Sequence, residues 1–392
     1  MYQKLLDKHI KHGILHLHLP EGKNYTFGEH GEEVHWHVAS EKAMRRIAMD
    51  PEFQLGQTYM DGLWHPGESS LYQLLSVLRR NFNTNLKTSW FKPITGLLQQ
   101  WNKITRSYSN VAHHYDIEEG VFRRFLDREM FYSCAYFESE NDNLEQAQQN
   151  KARHIAGKLC LEPGNNVLDI GCGWGSMMFY LAQNHQVEVS GITLSKEQLA
   201  VARQEAEKRQ LKNTRFYLED YREHEGLYDR IVSIGMFEHV GVPFYKAFFK
   251  KMAALLKEDG VALLHTIGKT GTARPTNPWI HKYIFPGGVN PSLSQICKAL
   301  EPSGLRLCDI EVLRLHYAKT LKHWNTRFQN HREEIAAILD ERFCRMWEFY
   351  LLACAVTFEH SDLVVYQLQL TKKHGIVPIT RDYLYNDPGT SK

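Results

Sequence analysis

From Asn165 onward, apolar runs of strand length alternate with longer stretches that repeat at helical spacing. The runs NVLDI, VEVSGITL, TRFYLED, DRIVSIGM and GVALLHTIG are rich in β-branched residues, as strands buried on both faces are. The stretches SMMFYLAQN, SKEQLAVARQEAEKRQ and PFYKAFFKKMAALLK carry apolar residues three and four positions apart, which predicts helices. Strands alternating with helices of this length predict an α/β fold with a doubly wound parallel sheet.

The alternation is interrupted after the fifth strand. The segment KTGTARPTNPWIHKYIFPGGVNPS is rich in Pro, Gly and aromatic residues, which predicts a lid-like excursion. Beyond it, LRLCDIEVLRL and LVVYQLQL predict two more strands, which flank the predicted helices KTLKHWNTRFQNHREEIAAIL and ERFCRMWEFYLLACAVTFEH.

The first segment of the chain has shorter elements. Strand-like runs at Ile14–Leu19 and Val34–Val38 and helix-like runs at Ser40–Ile47 and Ser69–Arg79 predict a small α+β unit, and LGQTYMDGLWHPGESS predicts a turn-rich stretch. A polar stretch follows that predicts a linker with one helix. We therefore divide the chain into three parts, which are a small N-terminal domain at 1–86, a linker at 87–111 and a larger domain at 112–392.

Composition narrows the class of protein. The 392 residues are 43% hydrophobic and 23% charged, and the net charge of +2 gives no strong field for a polyanion, so nucleic acid is not an expected partner. No apolar stretch reaches the ~18–20 residues that cross a bilayer, and the N-terminus lacks the pattern of a secretory signal. The seven cysteines have no paired spacing and the 21 histidines are scattered. We expect a cytoplasmic chain with free thiols and no metal site.

The stretch VLDIGCGWGSM has the pattern of strand, glycine turn and helix. Asp169 ends the strand, and Gly171, Gly173 and Gly175 allow a tight turn and the close approach of a ligand. The spacing G-x-G-x-G differs from the G-x-G-x-x-G of dinucleotide folds, and Trp174 stands where a pyrophosphate would need a bare helix N-terminus. This spacing resembles the first motif of S-adenosylmethionine-dependent methyltransferases, which implies their Rossmann-like fold and cofactor.

The ends of the second and third strands bear on the same site. In that family an acidic residue usually ends the second strand and binds the ribose, whereas this chain offers Thr193 and Gln198. The pattern S-x-x-Q from Ser195 also predicts a capping box, so Gln198 can serve both roles. The third strand ends in Glu219 and Asp220, where the family reads adenine, and an exposed turn is the equal alternative.

A second resemblance covers the chain from about Ala112 to its end. MFYSCAYFESENDNLEQAQQNKARHIAGKLCLEPGNNVLDIGCGWGSM, GITLSKEQ, DRIVSIGMFEHVG, LLHTIG, YIFPGG and HYAKTL occur in this order and closely resemble the cyclopropane-fatty-acid synthase family, which includes the mycolic acid cyclopropane synthases. The stretch LGQTYMDGLW resembles the small domain of the bacterial fatty-acid enzymes. The resemblance implies transfer of a methylene group from S-adenosylmethionine across a cis double bond of a phospholipid acyl chain. Two alternatives are methyl or methylene addition without ring closure, and a lipid-binding protein with a vestigial cofactor site.

The resemblance also implies a base, which in this family is a bound bicarbonate ion. The matching side chains are Glu238, His265 and Tyr317, with Cys134 and Ile267 near the ion through their backbones. Because neighbouring parallel strands end at one sheet edge, we expect Glu238 and His265 to lie close together. A solvated strand end, a core histidine and a core tyrosine are the alternatives for the three side chains.

The evidence for a functional role is weaker at five further positions. Tyr115, Tyr132 and Ser133 match positions where the family closes over the cofactor. Cys354 matches a cysteine sometimes designated the active-site residue, but an apolar helix makes it most simply a small buried residue, and the alkene reaction needs no covalent intermediate. We expect His239 at a helix start or on the surface. The complete set predicted to bind the cofactor is Tyr115, Tyr132, Ser133, Val167, Asp169, Gly171, Cys172, Gly173, Trp174, Gly175, Thr193, Leu194, Gln198, Glu219 and Asp220.

The implied substrate requires access to a membrane. Basic clusters and aromatic loops such as NPWIHKYIFPGG predict reversible contact with the inner face of a phospholipid bilayer and no anchor. The small N-terminal domain is the candidate for bilayer docking or for forming a homodimer.

Overall fold

The computed structural model describes residues 2–82 and 119–385, which form two compact units. The first unit combines residues 2–82 with Pro275–Pro286 and Tyr317–Leu363, and the second contains the other described residues. The units are therefore not contiguous in sequence, unlike the predicted parts 1–86, 87–111 and 112–392. The predicted linker lies outside the described residues, and the division by function stays a prediction.

The first unit is built on a four-stranded sheet. Its strands are β1 (Ile14–Leu19), β2 (Lys23–Phe27), β3 (Glu33–Val38) and β4 (Trp64–His65). The order is β2-β1-β3-β4, in which β1 and β3 are parallel and the outer strands antiparallel to their neighbours. Along β1 and β3 buried positions alternate with half-exposed ones, so one face of the sheet is apolar and the other polar.

Helices complete the first unit. They are Tyr2–His9, Glu41–Met49, Pro51–Met60, Leu71–Asn81, Pro278–Tyr283, His316–Asn330, Arg332–Ile338 and Glu341–His360. The long helix Glu341–His360 packs against Leu71–Asn81 and Pro51–Met60. Among the described residues, none of the helices has both the length and the apolar character needed to cross a membrane.

Two predictions for this unit are wrong in part. The stretch LGQTYMDGLWHPGESS begins inside the helix Pro51–Met60, because Pro51 at the first helical position starts a helix that runs through Gly56. Gly56 is there for packing: a Cβ would lie 2.7 Å from the ring of Trp279. The predicted single helix KTLKHWNTRFQNHREEIAAIL is two helices, which meet at His331.

The second unit is built on a seven-stranded sheet. Its strands are β5 (Asn166–Ile170), β6 (Glu188–Thr193), β7 (Thr214–Leu218), β8 (Tyr228–Ile234), β9 (Leu256–Lys269), β10 (Arg306–Val312) and β11 (Leu363–Thr371). The order is β10-β11-β9-β8-β5-β6-β7, with β5 to β9 parallel and β10 antiparallel to β11. The predicted doubly wound α/β sheet is confirmed, and the strand order reverses between β5 and β8.

Helices cover this sheet. They are Glu119–Phe125, Leu144–Lys158, Ser176–Asn184, Lys196–Lys208, Tyr245–Leu255 and Leu293–Leu300. Successive residues of the central strands enter two different apolar clusters: Leu168 packs with Phe248, whereas Val167 packs with Leu199. The strand predicted as GVALLHTIG is longer than expected, since β9 begins at Leu256, directly after the helix Tyr245–Leu255.

Candidate active site

A cavity lies where β5 and β8 meet, at the carboxyl ends of the parallel strands. In open α/β sheets, ligands bind at this point of reversal. The predicted cofactor residues that line the cavity are Tyr132, Ser133, Asp169, Gly171, Cys172, Gly173, Trp174, Thr193, Leu194, Gln198, Glu219 and Asp220. Of the other three, Val167 is buried within β5 and Gly175 caps the helix Ser176–Asn184. Tyr115 lies outside the described residues.

The glycine loop after β5 needs glycine for two reasons. Gly171 and Gly175 have φ angles of 86° and 87°, a region that side chains strongly disfavour. A Cβ on Gly171 would also lie 2.8 Å from the side chain of Met236. The loop therefore turns sharply and packs closely against Met236. At Gly173, by contrast, a Cβ would meet nothing nearer than Gln198 Nε2 at 3.9 Å, so the backbone there is open to the cavity.

Asp169 supplies a carboxyl group at the floor of the cavity. It is 2% exposed, and burial raises the pKa of its carboxyl to about 7, although the positive charge of Lys151 opposes the shift. A buried carboxyl that faces a cavity is well placed to accept hydrogen bonds from a polar ligand.

Sequence reasoning missed Lys151, which contacts the cavity-lining residue Ser133. It is fully buried on the helix Leu144–Lys158, and its ammonium group donates to Ser133 Oγ (2.9 Å) and lies 3.7 Å from the ring centre of Phe131. Burial lowers the pKa of Lys151, and the nearby Asp127 opposes this. Lysine is almost never fully buried unless it is paired, and the stretch that carries Lys151 was not among the predicted helices, so its burial had no signal in the sequence.

At the end of β6, three polar side chains form a connected group. Ser195 Oγ accepts from the backbone N–H of Gln198 (3.1 Å), which caps the next helix as predicted. The capping box itself is only half formed, because the N–H of Ser195 donates to Thr193 Oγ1 (3.2 Å) instead. Thr193 Oγ1 in turn donates to Gln198 Oε1 (3.3 Å), so the Gln198 amide belongs to the cavity wall.

The end of β7 is a structured corner. Asp220 is 1% exposed, and Arg222 donates to both of its carboxylate oxygens, at 2.7 and 2.6 Å. Glu219, which is half-buried, pairs with His224. The exposed turn that was the alternative for these two acids is therefore wrong for Asp220.

His239 is not a surface residue. It ends the one-turn 3-10 helix Phe237–His239 after β8, and its ring lines the cavity. Burial lowers the pKa of its imidazole to about 4, so the ring is neutral at physiological pH. Sequence reasoning set it aside in favour of its neighbour Glu238.

Glu238 is buried at the end of β8 and uses one carboxylate oxygen to bind the neighbouring strand. The backbone N–H of Ile267 on β9 donates to Glu238 Oε1 (2.6 Å), and Glu238 Oε2 is buried without a hydrogen-bond partner among the described residues. Burial raises the pKa of Glu238 to about 7. The Ile267 backbone is predicted to lie near a bound ion; in the structure its N–H donates to Glu238 itself, and one carboxylate oxygen remains for a ligand.

His265 lies on β9 opposite Ile234, the last residue of β8, and is 2% exposed. Its Nδ1 accepts from Gln367 Nε2 (3.2 Å), while Gln367 Oε1 accepts from Lys158 Nζ (2.8 Å). Because Lys158 can only donate, it fixes the amide orientation, and the His265 proton is assigned to Nε2. Burial lowers the pKa of His265 well below its usual value, so the ring is a neutral donor.

The other predicted catalytic residues lie in different surroundings. Cys134 is buried in the second unit, and its thiol contacts the carbonyl of Ala135 (3.3 Å). In the first unit, Tyr317 packs against Trp324 and Phe358. Cys354 is also in that unit, and burial raises the pKa of its thiol to about 12, which makes it a poor nucleophile.

Known proteins resemble this chain over most of its length. The family model described as mycolic acid cyclopropane synthetase matches residues 102–368. The cyclopropane-fatty-acyl-phospholipid synthase of Escherichia coli K12 is 40% identical over 332 residues, which are 84% of this chain and 85% of that protein. The tuberculostearic acid methyltransferase UfaA1 of Mycobacterium tuberculosis H37Rv is 34% identical over 84% of this chain and 81% of its own.

A solved structure shows the same likeness. The mycolic acid cyclopropane synthase CmaA1, in complex with SAH and CTAB, is 36% identical with a TM-score of 0.64. The match covers 67% of this chain and 97% of CmaA1.

Proposed function

We propose that this protein modifies the acyl chains of lipids. It belongs to the mycolic acid cyclopropane synthetase family and is an S-adenosylmethionine-dependent methyltransferase. The proposed reaction adds a methylene group across the cis double bond of an unsaturated phospholipid acyl chain and closes a cyclopropane ring. The observation that carries it is the buried, half-used carboxylate of Glu238 at the sheet edge that also holds the glycine loop.

The residues of the cavity fit the cofactor. The backbone at Gly173 leaves room that a Cβ would fill, and the buried Asp169 offers a carboxyl to polar ligand groups. Tyr132, Trp174 and Tyr221 give the cavity aromatic walls, which suit a positively charged sulfonium. When bound, S-adenosylmethionine supplies an electrophilic methyl group, and the chain's own residues must orient it and exclude water.

Reaction at an alkene requires that the site exclude water and hold a base. An unactivated double bond is a weak nucleophile, and attack on a methyl group leaves a carbocation on the acyl chain that water would trap. Ring closure then requires removal of one proton from the new methyl group, so a base must stand close to it.

Glu238 and His265 would hold a bicarbonate ion that supplies this base. Glu238 Oε2 is a buried oxygen with no hydrogen-bond partner among the described residues, and the Nε2–H of His265 is a neutral donor. Bicarbonate can donate to the first group and accept from the second. Tyr317 and the backbones of Cys134 and Ile267 remain predicted partners of the ion. The backbone N–H of Ile267 is already used by Glu238, so its part would be to fix that carboxylate.

The substrate also implies a membrane contact. Lys246 and Lys250 are exposed on the helix Tyr245–Leu255, and Arg123 and Arg128 form a second exposed basic group. We expect reversible binding to the inner face of an anionic bilayer, which sedimentation with vesicles at low and high salt measures.

Product analysis tests the reaction. The full chain is incubated with methyl-labelled S-adenosylmethionine and vesicles of a phospholipid with one cis double bond per acyl chain, and the released fatty acids are identified by mass spectrometry and NMR. We expect one added CH₂ and proton signals of a cyclopropane ring, with no label in vesicles of saturated lipid. Omitting bicarbonate should slow the reaction, and restoring it should recover the rate.

Other products would decide against the proposal. A methyl-branched or methylene-bearing chain with no ring would assign the alternative reaction. Absence of S-adenosylmethionine binding in calorimetry would favour the lipid-binding protein with a vestigial cofactor site.

A further inference from the structure

The polar face of the four-stranded sheet is a ladder of histidines. In the parallel pair β1 and β3, His16 stands opposite His35 and His18 opposite His37, and His65 on β4 stands opposite His37. The His18 and His37 rings stack with centres 4.2 Å apart, and the His37 and His65 rings stack at 4.8 Å. The alternation HLH in β1 and HWH in β3 produces this face, because every second residue of a strand points the same way.

Three of these rings bring their nitrogens together. His18, His35 and His37 each offer one ring nitrogen within 4.8 Å of the other two, and His18 Nε2 lies 3.0 Å from His35 Nδ1. A carboxylate completes the group, since Glu68 Oε2 is 3.6 Å from His35 Nδ1 and 3.7 Å from His37 Nε2. The ligand atoms of a tetrahedral zinc ion with Zn–N bonds of about 2.0–2.1 Å are about 3.4 Å apart. The spacings of 3.0, 3.6 and 3.7 Å are close to this value, and pairs as far as 4.8 Å apart would move together by side-chain rotation.

Neighbouring groups orient the rings for such a role. His18 Nδ1 is 2.9 Å from the amide oxygen Asn24 Oδ1, which can only accept, so the ring proton is assigned to Nδ1 and the Nε2 lone pair faces His35. A second hydrogen-bonded partner that fixes the tautomer in this way is usual for metal-binding histidines. His37 Nε2 is a buried atom with no hydrogen-bond partner among the described residues.

The turn that carries Glu68 is held against the ladder. Gly67 has a φ of 61°, and a Cβ there would lie 2.6 Å from the His37 ring, so only glycine allows this approach. The Gly67 N–H donates to His65 Nδ1 (3.2 Å), and Ser69 Oγ accepts from the His35 N–H (2.8 Å). These bonds bring the Glu68 carboxylate to the open side of the three imidazoles.

We propose that His18, His35, His37 and Glu68 form a binding site for one divalent transition-metal ion of the zinc class. Imidazole nitrogens favour zinc and its neighbours over Mg²⁺ and Ca²⁺, which prefer oxygen. Four protein ligands leave no open position, so the ion would tie β1, β3 and the turn after β4 together as a structural site. The scattered positions of the 21 histidines in the sequence predict no metal site, and only the pairing of β1 with β3 brings three of them together.

Calorimetry on the full chain tests the site. The protein is stripped with EDTA, transferred to a buffer that does not bind metals and titrated with ZnCl₂. We expect one equivalent to bind with micromolar affinity or tighter and to raise the melting temperature, because an ion that binds only the folded state stabilises it. Co²⁺ at the same site should show the visible absorption of tetrahedral coordination.

Substitutions within the ladder separate ligands from neighbours. His35→Gln and His37→Gln should each weaken zinc binding by roughly 100-fold, and Asn24→Ala by about 10-fold through loss of ring orientation. The matched control His16→Gln removes a ring that stacks in the same ladder but lies outside the site, and it should leave the affinity nearly unchanged. Far-UV circular dichroism checks that each variant folds, and His18→Gln replaces any that does not.

Two results would overturn the assignment. One is the absence of saturable zinc binding by the unsubstituted chain. The other is weak binding of several equivalents that all histidine variants reduce alike, which would indicate independent surface histidines.

Discussion

The two sheets of this molecule place their chemistry in different positions. In the seven-stranded sheet, residues of β5, β8 and β9 are buried on both faces, and the functional side chains stand at the strand ends, as Asp169 and Glu238 do. In the four-stranded sheet only one face is buried, and the histidines of β1 and β3 occupy the other. A strand covered on both sides has no free face, so its end is the position left for polar groups.

This difference determines how unfavourable it is to ionise the polar side chains of each sheet. At the strand ends, burial shifts the pKa values of Asp169 and Glu238 upward to about 7, which means that ionising them in the folded chain is unfavourable. His18 and His35 are half-exposed, so water partly solvates their rings. Burial also lowers the pKa of His37 on the small sheet, but the two carboxyl groups whose pKa values are raised to about 7 belong to the large sheet, where the proposed chemistry takes place.

Substituting the strand end should have the largest effect. Glu238→Gln removes the proposed anion-binding carboxylate, and we expect turnover to fall by roughly 10²–10⁴-fold while cofactor affinity is nearly unchanged. Steady-state rates and calorimetry with S-adenosylmethionine measure the two. Glu258→Gln is the matched control, because Glu258 is an exposed carboxylate on β9. Near wild-type rates in Glu238→Gln would remove Glu238 from the base site.

Substituting the buried face of the small sheet should affect stability instead. Trp36 is 2% exposed and packs edge-on against Trp64, so Trp36→Ala should cost about 3–5 kcal/mol of unfolding free energy. His35→Gln, one residue away on the other face, should change it by less than about 0.5 kcal/mol when metal is absent. Urea denaturation in EDTA compares them. Equal losses in the two variants would mean that both faces of the sheet are core.

The smallest expected effect is a pH-dependent gain in stability. Glu238 has a pKa of about 7 in the folded chain against the ordinary glutamate value of 4.5, so between these values the folded chain holds a proton that the unfolded chain has lost. Stability of the unsubstituted chain therefore falls as pH rises through this range. Glu238→Gln avoids the loss and should be more stable at pH 8 by up to about 3 kcal/mol, with little difference near pH 4.5. A difference that does not vary with pH would show that the carboxyl is not strained.

Much of the large sheet could be predicted from sequence. Long buried runs identify parallel strands, and the glycine loop follows from its own spacing, so Asp169, Gly171 and Gly173 line the cavity as expected. That β8 and β9 are neighbours was predicted too, and Glu238 contacts β9 through the Ile267 backbone, whereas the closeness of Glu238 and His265 stays a prediction.

Groups whose partners are distant in sequence could not be predicted. Lys158 and Gln367 are 209 positions apart, and only the fold brings them together to orient His265. His239 is next to Glu238 in sequence and was not predicted to take part in the site. The short 3-10 helix after β8 places it in the wall of the cavity. The histidine ladder was visible in part, since HLH and HWH each put two imidazoles on one face, but the parallel pairing of β1 and β3 was not.

The direct passage from the helix Tyr245–Leu255 into β9 has a mechanical consequence. No spacer residue separates the last residue of the helix from Leu256, the first of the strand that carries His265. The pairing with β8 is irregular just beyond this junction, because Tyr228 faces Leu256 whereas Arg230 faces Val261, so residues 257–260 form a bulge. That bulge can absorb a small displacement of the helix before it reaches His265, which is held instead by its place opposite Ile234 and by the hydrogen bond from Gln367.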